Sequence, residues 1–376
     1  MATVLGLKKH YGLNVSLVSG PTEGPEGSLE SAFKAQGGEL KIIPSLKRPV
    51  SPFADLRTIF ALVMDFRRTK PGIVHTHSAK AGILGRTAAR LCGVPLIIHG
   101  IHGPSFGRFQ GTLANVCFEG VERLAGSLTD HFFSVANAMI DQYQAAGIGV
   151  PTQYDRVFSG FDVGRFEDQA PDLHLRRTLG IQPDDLVIGK IARLFELKGH
   201  RELLPVIAKL QKRFPKVKLL LVGDGVLKQE LEQQAKALGI ESKVIFAGLV
   251  PPAEVPNYIG LMDVLVHLSW REGLPRALPQ GLAGGVPVVA YDLDGAPEVC
   301  LSGVNGFLVQ PGHESELLDR LDDLLCDPAR RKAFGRAGQE RVMKDFSEEK
   351  MVHDTYRLYR KLWLRFGESE KKDFES

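Results

Sequence analysis

The sequence predicts an α/β protein made of two Rossmann-like, doubly wound domains that face each other across a cleft. Three observations carry that expectation. The chain has 376 residues, more than one ordinary domain needs and enough for two. Twelve short runs rich in β-branched residues alternate with helical patterns along its length. A polar stretch, Asp162–Gly180, holds Pro171 and no strand pattern, and it divides the runs into two series.

The first series reads Asn14–Val18, Leu40–Ile43, Ile73–Thr76, Pro95–His99, His131–Val135 and Arg156–Phe158. The second reads Leu186–Ala192, Val217–Val222, Lys243–Ala247, Asp263–Leu268, Pro287–Ala290 and Phe307–Val309. Several lack polar alternation, as expected where helices cover both faces of a parallel sheet. Helical patterns intervene at Gly82–Leu91, Leu227–Leu238 and Ser315–Leu325. The expected domains are 1–165 and 166–346. Ser347 is a suitable N-cap, and Glu348 and Glu349 suit a first helical turn, which predicts a closing helix over 347–366 that packs back toward the first domain. The charged tail Gly367–Ser376 reads as a frayed end. The start is anomalous. Met1–His10 reads as a helix, whereas a doubly wound domain ordinarily opens on a strand and a turn. The expectation is a missing opening strand, through a misassigned start or a truncation.

Apolar residues make up 44% and charged residues 24%, the balance of a soluble globular protein. The apolar run Leu261–Leu268 is interrupted by Asp263 and His267, and no run approaches the ~20 residues that cross a bilayer. No signal-peptide pattern opens the chain. Cys92, Cys117, Cys300 and Cys326 lack C-x-x-C spacing and read as thiols of a reducing compartment, so the cytoplasm is expected. The net charge of +3 is uneven. Residues 1–165 hold 17 Lys and Arg against 12 Asp and Glu, a net +5, and the remainder is −2. Lys47, Arg48, Arg67, Arg68, Lys70, Arg86, Arg90 and Arg108 contribute to the excess. Such a bias attracts an anionic membrane surface or a phosphate-bearing substrate, although solvated helix faces are often basic by chance. No basic run is interleaved with aromatics, which argues against nucleic acid.

The chemistry concentrates between residues 189 and 298. In G-K-I-A-R-L-F-E-L-K-G, Gly189–Gly199, a strand runs to about Ala192, and Arg193 and Lys198 then lie in a loop before a helix. A guanidinium fork and a mobile ammonium on one loop suit two phosphates. Alone, this segment reads as a solvated loop. Trp270–Gly285 reads W-R-E-G-L-P-R-A-L-P-Q-G-L-A-G-G. A buried strand ends at about Leu268 and a helix is expected from near Pro275. That would leave the Gly273 and Leu274 amides as unpaired donors for an anion. Glu272 on the turn can accept from sugar hydroxyls. Gln280, eight residues on, sits about two helical turns further, within reach of a ribose. Pro279 is tolerable only near a first turn. In the first domain, H-T-H-S-A-K-A-G-I-L-G-R at His75–Arg86 and I-I-H-G-I-H-G at Ile97–Gly103 end at strand termini. His99 and His102 lack a third ligand for zinc.

In order and spacing these segments resemble the retaining glycosyltransferases of family 4, which have the GT-B fold. The resemblance covers nearly the whole chain. It runs through R-L-F-E-L-K-G at Arg193–Gly199, L-L-V-G-D-G at Leu220–Gly225 and F-A-G-L-V at Phe246–Val250. It continues through R-E-G-L-P-R-A-L-P-Q at Arg271–Gln280, P-V-V-A-Y-D at Pro287–Asp292 and N-G-F-L-V at Asn305–Val309. The resemblance implies transfer of a sugar from a nucleoside-diphosphate sugar to an acceptor hydroxyl with retention, in polysaccharide, lipopolysaccharide or glycolipid assembly. It calls for no metal and no cofactor. It implies that Arg193 and Lys198 neutralise the donor diphosphate, and that Val250 lies near the base. Glu272 stands for the first glutamate of an E-x7-E motif. Gln280 stands at the second, a departure that removes charge-assisted hydrogen bonding to the ribose. A histidine beside the donor sugar matches His102 best and His99 next, with structural roles the competing reading for His75, His77 and His99. Lys80, Gly82 and Arg86 fall on the acceptor side with His99, and Glu298 near the donor.

Asp292-Leu293-Asp294 spells the D-x-D metal motif of a different glycosyltransferase fold and reads here as loop. Gly223-Asp224-Gly225 lacks the third glycine of a dinucleotide fingerprint. Two rival readings stand: a nucleotide-sugar epimerase on the same fold, and an inactive, truncated nucleotide-sugar-binding protein. The helix around Phe53–Phe66, with Arg67, Arg68 and Lys70 beyond it, offers a peripheral contact with the inner face of a membrane bearing a lipid-linked acceptor. Ordinary packing on the sheet is its commoner explanation.

Overall fold

The computed structural model describes residues 1–22, 27–103, 105–107, 111–167 and 171–366. Arg108 and the Gly367–Ser376 tail lie outside them. Two compact units form, one from Met1–Phe161 with the chain from Glu348 onward, the other from Asp162–Ser347.

Unit 1 contains, in order, α1 (Ala2–Tyr11), β1 (Ser16–Ser19), α2 (Glu30–Ala35), β2 (Glu39–Ile42), α3 (Pro52–Thr69) and β3 (Ile73–His77). There follow α4 (Ala79–Leu91), β4 (Leu96–Ile101), α5 (Thr112–Gly126), β5 (His131–Ser134), α6 (Asn137–Ala145) and β6 (Tyr154–Arg156). Its strands make two separate parallel sheets, β1-β2 and β3-β4-β5-β6. Alternation along the strands sends Leu96 and Ile98 into one apolar cluster and Ile97 into another. The first cluster takes in Leu7 of α1 and Val352, Leu358, Tyr359 and Trp363 further along the chain. The second takes in Leu62 and Phe66 of α3 and Leu84, Ala88 and Ala89 of α4.

Unit 2 contains α7 (Leu173–Thr178), β7 (Leu186–Ile191), α8 (His200–Arg213), β8 (Val217–Val222), α9 (Lys228–Ala237) and β9 (Val244–Gly248). It continues with α10 (Val255–Ile259), β10 (Val264–His267), α11 (Ala277–Ala283), β11 (Val288–Tyr291), β12 (Gly306–Val309), α12 (Glu314–Cys326) and α13 (Pro328–Asp345). The last helix, α14 (Glu348–Trp363), belongs to unit 1 and packs on α1 there. The six strands of unit 2 form one parallel sheet in the order β12-β11-β10-β7-β8-β9. This is the doubly wound order, and it reverses between β7 and β10. Both strands are near-continuous apolar runs because helices cover both faces; Ile188, Val264 and Val266 are fully buried.

All twelve expected strands are present, with ends displaced by a few residues. Two helix starts differ by two or three residues: α4 begins at Ala79 rather than Gly82. α11 begins at Ala277 rather than near Pro275, with Pro279 in its first turn. It is held by α13 at very short range. A Cβ on Gly335 would meet the Gly285 carbonyl oxygen at 1.9 Å, and one on Gly338 would meet the Leu282 side chain at 2.5 Å. Gln339 Nε2 also donates to the Ala283 carbonyl at 3.2 Å.

Candidate active site

In open parallel sheets ligands bind beyond the carboxyl ends of the strands, at the point where strand order reverses. In unit 2 the two strands flanking that point are β7 and β10, and the loops that follow them carry Arg193, Lys198 and Glu272. The loop after β7 is tightly defined. Leu197 and Gly199 have φ of 63° and 67°, and a Cβ on Gly199 would meet the Leu268 carbonyl oxygen at 2.1 Å. Only glycine fits there, so the backbone after β10 fixes where Lys198 emerges. Trp270 N donates to the Leu197 carbonyl at 2.8 Å, and Trp270 Nε1 donates to Glu202 Oε1 at 2.8 Å. These bonds join the two loops.

The charged groups then meet. Lys198 Nζ donates to Glu272 Oε1, and the same oxygen accepts from Ser269 Oγ at 3.1 Å. The backbone N–H of Glu272 donates to Asp294 Oδ2 at 2.7 Å, with Asp294 itself at φ 52°. Glu272 is therefore held at both backbone and side chain. Arg193 is exposed, with its guanidinium 5.1 Å from the Phe195 ring centroid. Its loop rests on the turn after β8: Leu194 N donates to the Asp224 carbonyl at 2.9 Å, and Leu227 N donates to the Leu194 carbonyl at 3.0 Å. Gly223 and Gly225 are required there, because Cβ atoms would meet the Ala192 and Leu194 carbonyl oxygens at 2.1 and 2.4 Å. The Gly-Asp-Gly segment thus supports the cation loop.

Gly273 and Leu274 are buried, but they precede α11 by several residues, in a turn. The expected pair of helix-terminal amides is corrected to a pair of turn amides, because Pro275 and Arg276 intervene before the first helical residue. Gln280 is the fourth residue of α11 and half-buried. Val250 follows β9 in an irregular segment. Glu298 ends a single 3₁₀ turn at Ala296–Glu298, and its carbonyl accepts from Arg341 at 2.7 Å.

Behind the pair lies a buried cluster that motif reasoning missed. Lys190 on β7 is 1% exposed, and His200 and His267 are nearly as buried. Neither Lys190 Nζ nor any ring nitrogen of the two histidines has a hydrogen-bond partner among the described residues. His267 Nε2 stands 3.8 Å from Glu272 Oε1. Burial pulls the Lys190 ammonium down to about 7 and His200 to about 3, and lowers His267 well below its ordinary value. The sequence signal was present. His267 interrupts an apolar strand, and Lys190 interrupts another.

In unit 1 the four histidines at the ends of β3 and β4 divide. His102, just after β4, is exposed, and His77 Nδ1 shares a 2.8 Å hydrogen bond with its Nε2. His75 Nδ1 bonds the Tyr359 hydroxyl at 2.6 Å. His99 is only 2% exposed, bonded to Thr76 Oγ1 at 2.9 Å, and burial lowers its pKa well below the ordinary value. The residues expected on the acceptor side lie in a packed, ion-paired cluster. Gly82 is glycine because a Cβ would meet His99 Cε1 at 2.5 Å. Arg86 is fully buried: it pairs with Glu122 at 2.9 Å and donates to the Gly82 carbonyl at 3.0 Å and to Thr129 at 3.3 Å. Lys80 pairs with Asp55 at 2.5 Å and donates to the Pro49 carbonyl. These side chains hold α3, α4 and α5 together, and His99, Gly82 and Arg86 are buried among them.

Two family models match in sequence order. Glycosyl transferase 4-like domain covers residues 6–157, and Glycosyl transferases group 1 covers 173–341. The chain belongs to the family-4-like glycosyltransferases of the GT-B fold. This glycosyltransferase is 28% identical over 294 residues to "Putative glycosyltransferase EpsD" of Bacillus subtilis, covering 76% of each chain. It is 25% identical over 272 residues to the Escherichia coli "UDP-Gal:alpha-D-GlcNAc-diphosphoundecaprenol alpha-1,3-galactosyltransferase", covering 71% of this chain and 70% of that one. Among solved structures it resembles Anabaena Alr3699/HepE in complex with UDP, with a TM-score of 0.79, 21% identity, and coverage of 95% of this chain and 94% of that one. Among the described residues no group of three or more His, Cys, Asp or Glu is placed to hold a metal, and no helix is long and apolar enough to cross a membrane.

Proposed function

We propose that this glycosyltransferase moves a sugar from a uridine-diphosphate donor to a hydroxyl of a carbohydrate or lipid-linked acceptor, with retention and without a metal ion. The observation that carries the reading is the Lys198–Glu272 pair at the switch point of unit 2, with exposed Arg193 on the same loop. As the donor's glycosidic bond breaks, negative charge grows on the leaving diphosphate. Arg193 and Lys198 supply fixed positive charge to it, and the Gly273 and Leu274 amides supply donors. Lys198, already bonded to Glu272, then joins the phosphate end of the donor to the carboxylate that accepts from sugar hydroxyls. Gln280 reaches the ribose, Val250 borders the base, and Glu298 lies toward the sugar. In unit 1, His102 is the residue assigned to substrate, its ring oriented by His77.

The uridine nucleotide is supported by a similar structure that holds UDP-glucose and by a relative whose name specifies UDP-Gal. The acceptor class is supported by that relative's diphosphoundecaprenol substrate and by a capsular polysaccharide biosynthesis glycosyltransferase, CapM of Staphylococcus aureus, 22% identical over 338 residues. Such acceptors support a cytoplasmic location at the inner face of the membrane, in cell-envelope polysaccharide assembly. The α3 surface supports that placement. Phe53, Leu56, Phe60 and Met64 form one exposed stripe, with Arg67 and Arg68 in the last turn.

The test incubates the purified chain with UDP-glucose or UDP-galactose and a diphosphate-linked acceptor in the presence of a chelator, and reads the anomeric configuration of the product by NMR. Arg193→Ala and Lys198→Ala should each lower kcat by about 10²–10³-fold with the fold intact by circular dichroism. Full activity in either variant removes the diphosphate assignment. An inverted product removes retention, and activity lost to the chelator removes metal independence.

A further inference from the structure

Lys198 has two anions to serve. Its ammonium is bonded to Glu272 Oε1, and the proposed function also puts it on the donor diphosphate. Charge-assisted bonds to phosphate oxygens compete for the same protons, so the hold on Glu272 loosens as the diphosphate closes in. Glu272 keeps the 3.1 Å bond from Ser269 Oγ, and Asp294 still holds its backbone N–H at 2.7 Å. The carboxylate can then turn about its last torsion, which is broad and roughly two-fold in glutamate. Unused donors lie on its inner side. His267 Nε2 stands 3.8 Å from Glu272 Oε1, about 1 Å beyond a hydrogen bond. The ring is 5% exposed, and among the described residues neither of its nitrogens has a hydrogen-bond partner. Burial first, and then the Lys190, Lys198 and His200 charges, keep it neutral, so it offers one N–H rather than another cation. Lys190 Nζ, also buried without a partner, lies within electrostatic reach of Glu272. A buried donor with no acceptor is costly, and native structures hold few of them.

We propose that His267 is a second anchor for the Glu272 carboxylate, taken up as Lys198 closes on the donor diphosphate. In the tautomer with its proton on Nε2, His267 donates to Glu272 Oε1 once that oxygen moves inward by about 1 Å. Only hydrogen bonds are exchanged, and no proton changes owner. The consequence is a link between the two ends of the donor: phosphate occupancy sets the position of the carboxylate assigned to the sugar. His267 is thus a positioning residue that acts through Glu272. The link is reciprocal. Whatever holds Glu272 away from Lys198 favours Lys198 on the phosphate, so His267 strengthens nucleotide binding without touching the nucleotide. The inference rests on the donor reading above.

The test measures the affinity of the full chain for UDP by calorimetry. His267→Phe should weaken binding by about tenfold, the effect of one lost hydrogen bond to a charged group. His267→Gln, which keeps an N–H near the place of Nε2, should stay within about threefold of the parent. In a Glu272→Ala background His267→Phe should change nothing, because no carboxylate is left to anchor. The ring ¹⁵N signals of His267 should shift when UDP is added to the parent and stay in place in Glu272→Ala. These signals need no substitution at His267, so they decide the question even where phenylalanine is poorly tolerated. Parent-like affinity in His267→Phe, or equal weakening with and without Glu272, overturns the anchor, and so does a His267 signal that ignores UDP in the parent. Failure of the donor reading shows differently: Lys198→Ala then binds UDP as tightly as the parent, and the diphosphate assignment falls together with the anchor.

Discussion

Lys190 shows most clearly what unit 2 carries at the level of single residues. An ammonium held at about 7 in the folded chain and at its ordinary value of about 10.5 when unfolded disfavours folding wherever the unfolded chain binds the extra proton. That penalty is full below pH 7 and fades as the pH rises toward 10.5. The two histidines act at lower pH. Their folded values are depressed, so stability is lost as pH falls below about 6.5. Lys190→Met should raise stability at pH 7 by roughly 2–4 kcal/mol and flatten its rise between pH 7 and 10, as read from urea unfolding across pH. An unchanged pH slope would place the proton elsewhere. Motif spacing singled out Arg193, Lys198 and Glu272 because they lie on two short loops whose order along the chain is fixed, and the structure brings Lys198 and Glu272 together. It missed the ion pair of Arg86, whose partner Glu122 is 36 residues away on another helix and has no local signature. Without that partner in view, a cation near a strand end looks like a binding group.

Among the elements, strands were the most legible and helix starts the least. A strand buried on both faces announces itself by an unbroken apolar run, as in β8 and β10. α11 does not, because R-E-G-L-P-R-A-L-P-Q contains two prolines, and the helix starts between them, at Ala277. The β7–α8 loop illustrates the same dependence across elements. Its conformation is set by contact with the residues after β10, and Gly199 is the point of contact. Gly199→Ala should force the loop away from the Leu268 carbonyl, costing roughly 1–3 kcal/mol for the strained backbone and more for the collision. Nucleotide binding should weaken along with the melting temperature. Unaltered UDP affinity, measured by calorimetry, would show that the loop does not position Lys198.

At the level of the whole molecule, the family and the two doubly wound units could be read from the order and spacing of weak segments, each uninformative alone. Donor identity, acceptor and membrane contact could not, because they depend on a few surface side chains that no periodicity fixes. The α3 stripe is the most accessible of these. Phe53 is 85% exposed, and Leu56 and Phe60 are each 67% exposed. Phe53→Ser with Phe60→Ser should reduce co-sedimentation with vesicles containing phosphatidylglycerol several-fold while leaving transfer to a short soluble acceptor unchanged. Equal sedimentation of variant and parent would assign the stripe to something other than a bilayer.

The close crossing of α11 and α13 has a bearing on how this protein can be divided and recombined. α11 carries Gln280 and follows directly from the turn of Gly273 and Leu274, yet seven residues are too few to hold a helix on their own. Its seat is supplied by Gly335 and Gly338, more than fifty positions later. A segment transplanted into another glycosyltransferase keeps α11 seated only if it extends through α13. A graft that stopped at β12 would carry α11 without the two glycines it is seated on.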